Sequence, residues 1–191
     1  MSFVEKKATY FKEAGKQNTD ALLKLVKEYA EKEGIKDIVA ASTTGETGAK
    51  ASRIFKGNNV VVITHCFGFK ELGENELREE YKNDILANGA RILTGVHALS
   101  SVERAIRKDF GTLQPLELIA NILRLMGEGT KVCIEITLMA ADAGLIPVDR
   151  DIIAIAGTGK GADTALRLRP ANSARFFDLK IREFIAKPSA F

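Results

Sequence analysis

Two loops far apart in the chain carry the residue types that grip an anion. Ser42-Thr43-Thr44-Gly45-Glu46-Thr47-Gly48 follows the apolar run Asp37-Ile38-Val39-Ala40-Ala41. Gly157-Thr158-Gly159-Lys160-Gly161 follows Asp151-Ile152-Ile153-Ala154-Ile155-Ala156. Glycine leaves backbone N–H groups uncovered, hydroxyls add donors, and a helix opening behind the loop adds its positive end. Those are the requirements of a phosphate. The first loop lacks the Gly-Lys-Ser/Thr ending of a Walker loop, so no nucleoside triphosphate is implied. Each loop also has a plain structural reading: an N-cap turn for the first and a turn into an edge strand for the second. A phosphorylated ligand is the first expectation.

The chain has two histidines, and both fall just beyond apolar runs. His65 follows Val60-Val61-Val62-Ile63-Thr64, and His97 follows Ala90-Arg91-Ile92-Leu93-Thr94. A histidine at such a position can bond a ligand, move a proton near neutral pH, or make a purely structural bond in its loop. No acidic cluster accompanies them, and Cys66 points away from His65 in an extended segment, so a metal site is not expected. Phe67 and Phe69 can stack on a ligand ring or simply pack. Thr94 and Asp163 complete the set expected at the ligand. Lys131, Glu135, Leu138 and Asp142 share one helical face; this is read as a solvated stripe with a Lys131–Glu135 pair, the alternative being a buried carboxylate facing the ligand.

Elements must bring these residues together. The apolar runs starting at Asp37 and Asp151 read as strands buried on both faces, hence as a parallel sheet covered by helices, and those starting at Val60 and Ala90 read as further strands. Ala8 to Phe11 reads as a short edge strand, and Asp163 to Arg169, alternating apolar and polar, as a half-exposed edge strand. Asn18 and Thr19 offer an N-cap to a helix closed by Gly34. Further helices are expected over 47–55, 74–88, 115–126 and 130–143. Another opens on a Ser100–Glu103 capping box, and a phenylalanine-rich last helix spans about Ser173 to Ala186. That last helix is expected to serve as core or as a subunit interface in a homo-oligomer.

Bulk composition narrows the function classes. Of 191 residues, 46% are hydrophobic and 28% charged, as in an ordinary globular protein. Net charge is only +3, with 28 basic residues scattered among 25 acidic ones, so no nucleic-acid surface is expected. Cys66 and Cys133 are expected as buried thiols in a reducing cytoplasm. The Lys- and Glu-rich start lacks an apolar signal core, and Glu135 and Asp142 break the longest apolar stretch, so no membrane association is expected.

The strand, the Ser42–Thr47 loop, the following helix and the strand ending Val62-Ile63-Thr64, with the Asp151-to-Gly157 strand and its glycine loop, resemble the C-terminal domain of pyruvate kinase. The resemblance covers roughly Ile35 to Thr94 and Thr130 to Arg169. It implies one α/β domain over residues 1–191, three-layered, with a five-stranded, mainly parallel sheet in the order 3-2-1-4-5 and its last strand antiparallel. Segment 95–128 reads as a helical insertion that the kinase domain lacks. In that order the Asp37 and Asp151 strands are neighbours whose following helices lie on opposite faces. Both glycine-hydroxyl loops then open into the switch-point crevice.

In pyruvate kinase this domain holds a phosphorylated sugar effector, and its first loop usually carries basic residues. Here Thr43, Thr44 and Glu46 stand in that loop, and only Lys50 and Lys160 are expected nearby, which suits one phosphate better than two. The catalytic barrel of the kinase is absent, so its activity is not implied. The chain looks more like stand-alone archaeal and bacterial relatives, which suggest flavin mononucleotide as the ligand. The other functions carried forward are a small flavin-dependent oxidoreductase or phosphate-ester hydrolase using His65 and His97, and a regulatory subunit binding a sugar phosphate.

Overall fold

In the computed structural model, which describes residues 3–191, the apolar β-branched runs form the middle of one mixed sheet. Thr9–Glu13 is β1, Asp37–Ala41 β2, Asn59–Thr64 β3, Arg91–Thr94 β4, Ile152–Ala156 β5, Thr164–Arg169 β6 and Lys180–Ala190 β7. Their order is β1-β7-β6-β5-β2-β3-β4, seven strands among the described residues. The five strands from β4 to β6 keep the expected 3-2-1-4-5 order, with β6 antiparallel to β5. The sheet does not stop at five: β7 pairs antiparallel with β6, and β1 pairs parallel with β7 at the outer edge.

Helices cover both faces. Thr19–Glu33 (α1), Glu46–Ile54 (α2) and Glu79–Ala87 (α3) pack on one face, where Leu22, Val26, Phe55 and Ile85 meet Ile38, Val60, Val62 and Ile153. Glu128–Asp142 (α6) covers the other, placing Cys133, Ile136 and Ala140 on Val39, Val61, Ile152 and Ala154. Val102–Phe110 (α4) and Pro115–Arg124 (α5) belong to the segment expected as an insertion, and α5 packs on α6 through Ala120, Ile134 and Leu138. Alternate residues of β2 serve opposite cores, which is why residues 38–41 are apolar throughout rather than alternating.

Several expectations fail for identifiable reasons. The last segment is not a helix: Ser173–Asp178 is a 3-10 stretch, and β7 follows. Phe176, Phe177, Ile181, Phe184 and Ile185 mimic a helical stripe, but β6 offers an open edge with unpaired backbone groups that β7 satisfies. As a result β6 is an inner strand and mostly buried, not the half-exposed edge expected for it. No helix follows β5, which turns straight into β6, so α6, preceding β5, covers the second face. Helix α3 begins at Glu79, later than expected, because Asn75 ties the loop before it: its Nδ2 donates to the His65 carbonyl (2.7 Å) and its Oδ1 accepts the Leu77 N–H (2.8 Å).

The predicted caps also act elsewhere. Asn18 makes no cap bond through its side chain, and Thr19 instead accepts the Ala162 N–H at 2.9 Å. Ser100 and Glu103 form no capping box; Glu103 accepts the Leu116 N–H at 2.8 Å and so holds the start of α5. Of the two cysteines, Cys133 is buried, and burial pushes its thiol well up, while Cys66 is only half-buried. No helix among the described residues is long and apolar enough to cross a membrane.

Candidate functional site

Parallel strands β2, β3 and β5 end at the same side of the sheet, and their first loop residues therefore meet. A cavity of about 1080 Å³ opens there. Residues 42–44, 46 and 47 line it from the β2–α2 loop, and Gly157 with Gly159, Lys160 and Gly161 from the β5–β6 loop. Gly161 has φ +72°, and a Cβ there would lie 2.5 Å from Lys16 Cα, so only glycine lets this loop lie against the turn before α1.

The first loop turns sharply into α2 and leaves backbone donors open. Gly45 holds φ +96°, turning the chain sharply into α2. Gly48 lets α2 press on β3, since a Cβ would stand 2.6 Å from Val62 Cγ1; its N–H donates to Ser42 Oγ at 2.9 Å. The N–H groups of Thr44, Gly45, Glu46 and Thr47 keep no acceptor among the described residues, as the first turn of a helix leaves them. Ser42 is therefore spent on the helix itself, while Thr44 and Thr47 face the cavity with free hydroxyls.

The second wall is aromatic. The His65 and His97 rings lie 5.4 Å apart, and Phe69 packs on both, 4.0 Å from His65 and 5.1 Å from His97. Arg104 sits 4.6 Å above the Phe69 ring. It is Phe69, not Phe67, that reaches the cavity; Phe67 is 65% exposed and faces away. Three other expected contacts lie behind the wall. Thr94 bonds the Thr64 hydroxyl (2.6 Å). Asp163 is fully buried and accepts the N–H groups of Gly15 (2.9 Å) and Thr158 (3.1 Å), fixing the glycine loop rather than a ligand. The Thr158 hydroxyl is itself buried without a partner.

Helix α6 supplies Glu128, Lys131, Val132, Glu135, Ile136 and Met139, one face at helical spacing. The expected Lys131–Glu135 pair is present, but it is not solvated: Lys131 is 7% exposed and Glu135 3%. Glu135 also accepts the Leu99 N–H at 3.1 Å and lies 3.8 Å from His97 Nδ1. Burial holds His97 below its ordinary value of 6.5; Glu135 pulls the other way, and His65, Lys131 and Arg104 push further down.

His97 thus stays neutral where the unfolded chain takes up a proton. Between its folded value and about 6.5 the unfolded state binds more protons, so stability rises with pH across that window and is lost as pH falls through it. The unfolding midpoint in urea is expected to drop from pH 7 to pH 5 more steeply in the native protein than in His97→Gln. Equal slopes would assign the acid sensitivity to other groups.

Charge near the loops is greater than the sequence suggested. Besides Lys50 and Lys160, the cavity is lined by Lys16, Arg78, Arg104, Arg107, Arg124 and Lys131. Most are neutralised: Lys50 by Asp20 (2.7 Å), Arg78 by Glu80 (3.8 Å), Arg107 by Glu117 (2.7 Å), Arg124 by Glu128 (2.6 Å) and Lys131 by Glu135. Lys16, Arg104 and Lys160 have no carboxylate partner among the described residues.

With this geometry in view, the family model of the pyruvate kinase alpha/beta domain matches residues 20–166. The chain belongs to that family. The match spans the strands β2 to β5, both loops and the α4–α5 segment. In this pyruvate kinase alpha/beta domain, α4 and α5 form the outer wall of the cavity, with Arg104 and Arg107 one turn apart on α4, and Glu117, Ala120 and Arg124 on one face of α5. Glu76, Arg104 and Lys16 were not singled out from sequence. The i, i+3 spacing of Arg104 and Arg107 was the one available signal, and nothing local marks Glu76.

Proposed function

We propose that this domain binds a phosphorylated small molecule with an aromatic ring, flavin mononucleotide, in the cavity at the carboxyl ends of the parallel strands. The observation that carries the reading is the division of that cavity. One end offers the open N–H groups of α2 with Thr44, Thr47 and Lys160, suited to one phosphate. The rest offers Phe69, two imidazoles and the apolar side chains of Ile63, Leu99, Val132, Ile136 and Met139, suited to a flat ring. A volume near 1080 Å³ lies just above the ~300–1,000 Å³ common for small-molecule sites. The visible spectrum of the purified protein, recorded before and after denaturation, tests this: a flavin band released into the small-molecule fraction is expected.

A sugar bisphosphate effector for a partner enzyme is the second reading. Lys16 and Arg104 favour it, since both carry charge that no carboxylate takes up. A bisphosphate would leave the Phe69 and Met139 side of the wall without an apolar partner, which is why the flavin is preferred.

A further inference from the structure

We infer that Thr43, His65 and Glu76 form a nucleophile, a base and an orienting carboxylate that hydrolyse a small ester carrying an anionic tail. Thr43 is the second residue past β2 and His65 the first past β3, and these adjacent parallel strands bring the two side chains together at the cavity. Glu76 arrives from the loop that Asn75 pins to the His65 carbonyl, and its Oε2 lies 2.7 Å from His65 Nδ1. A carboxylate there accepts the Nδ1–H, so the neutral ring keeps its lone pair on Nε2. That Nε2 lies 3.4 Å from Thr43 Oγ1, with the hydroxyl as donor. The separation is the loose one found before a substrate tightens such a pair.

Thr43 sits on a strand-to-helix turn, the setting in which a hydroxyl nucleophile is presented at the top of a sheet. The N–H of the next residue, Thr44, has no protein acceptor among the described residues and can take the charge that develops on a carbonyl oxygen. Ser42, the neighbouring hydroxyl, cannot serve because it accepts the Gly48 N–H.

In the reaction Thr43 Oγ1 bonds to the ester carbonyl carbon while its proton passes to His65 Nε2. The tetrahedral intermediate collapses with cleavage of the bond to the alcohol oxygen, which leaves with that proton. Water then attacks the acyl-threonine, giving its proton to Nε2. Collapse of the second intermediate returns the proton to Thr43 Oγ1 and releases the acid. Ester and water become acid and alcohol, and no oxidant or reductant enters. Lys16 and Lys160 border the same cavity and select a substrate with a negative tail. The inference rests on the anion-binding reading only for that tail, not for the triad.

The test uses the full chain with 4-nitrophenyl acetate and its anionic analogue, the 4-nitrophenyl monoester of succinate. Acid-quenched samples are expected to carry an acyl group on the peptide containing Thr43, with kcat/KM larger for the succinate ester. Thr43→Ala is expected to abolish the adduct, Thr43→Ser to keep it, and His65→Ala to slow turnover roughly a hundredfold or more. Glu76→Gln, acting through the ring, is expected to lower kcat with KM little changed. Turnover in Thr43→Ala equal to the native rate, or acylation confined to lysines, overturns the proposal. Flavin binding and acylation measured on the same native protein separate the two ideas: flavin bound without acylation sinks the triad alone, and acylation without flavin binding sinks only the cofactor.

Discussion

Replacing Glu135 with alanine is expected to lower stability by about 3–5 kcal/mol, as for any change that leaves a buried charge without its partner. Lys131 is 7% exposed, and its ammonium is held by Glu135 one turn along α6. Removing the carboxylate also strips the buried Leu99 N–H of its acceptor. The joint replacement Lys131→Met with Glu135→Leu should recover most of the loss, because neither charge then needs water. Urea unfolding of the native protein and the two variants measures this. A loss below about 1 kcal/mol in Glu135→Ala would mean that water reaches the pair, as at a surface ion pair.

The second large effect concerns the phosphate end. Thr44→Val with Thr47→Val keeps the shape of the loop and removes two hydroxyl donors. Each lost bond to a charged acceptor costs about 1–3 kcal/mol, so flavin affinity in the double variant should fall roughly thirtyfold or more. Calorimetry on protein whose urea midpoint is unchanged decides it. Unaltered affinity would leave backbone N–H groups alone holding the phosphate, or place the phosphate elsewhere.

The inner strands were legible because they rest on local chemistry, and the meeting of the two loops followed from the strand order that the resemblance implied. An apolar run such as residues 38–41 reads as a strand covered on both sides. What was not legible depends on partners distant in sequence. The Phe176 to Ile185 stripe fits a helix by spacing, and only the open edge of β6 makes Lys180–Ala190 a strand. Lys131 and Glu135 read as a surface pair until α5 and the Leu99 loop cover them. Glu76 carries no local pattern, and its place beside His65 follows from a loop that Asn75 folds back. Asp163 was expected at the ligand because it borders the glycine loop, yet its oxygens are taken by Gly15, Thr158 and Thr164.

We propose that one phosphate and one ring fill the cavity. Calorimetric titration of the ligand-free protein with flavin mononucleotide, and in parallel with a sugar bisphosphate, tests it most directly. The cavity has one set of open helix N–H groups at its phosphate end, and most of its cations are already paired. Flavin mononucleotide is therefore expected to bind tighter, with the negative heat-capacity change that burial of an apolar ring brings. Tighter binding of the sugar bisphosphate would contradict the account and make Lys16 and Arg104 the ligands of a second phosphate.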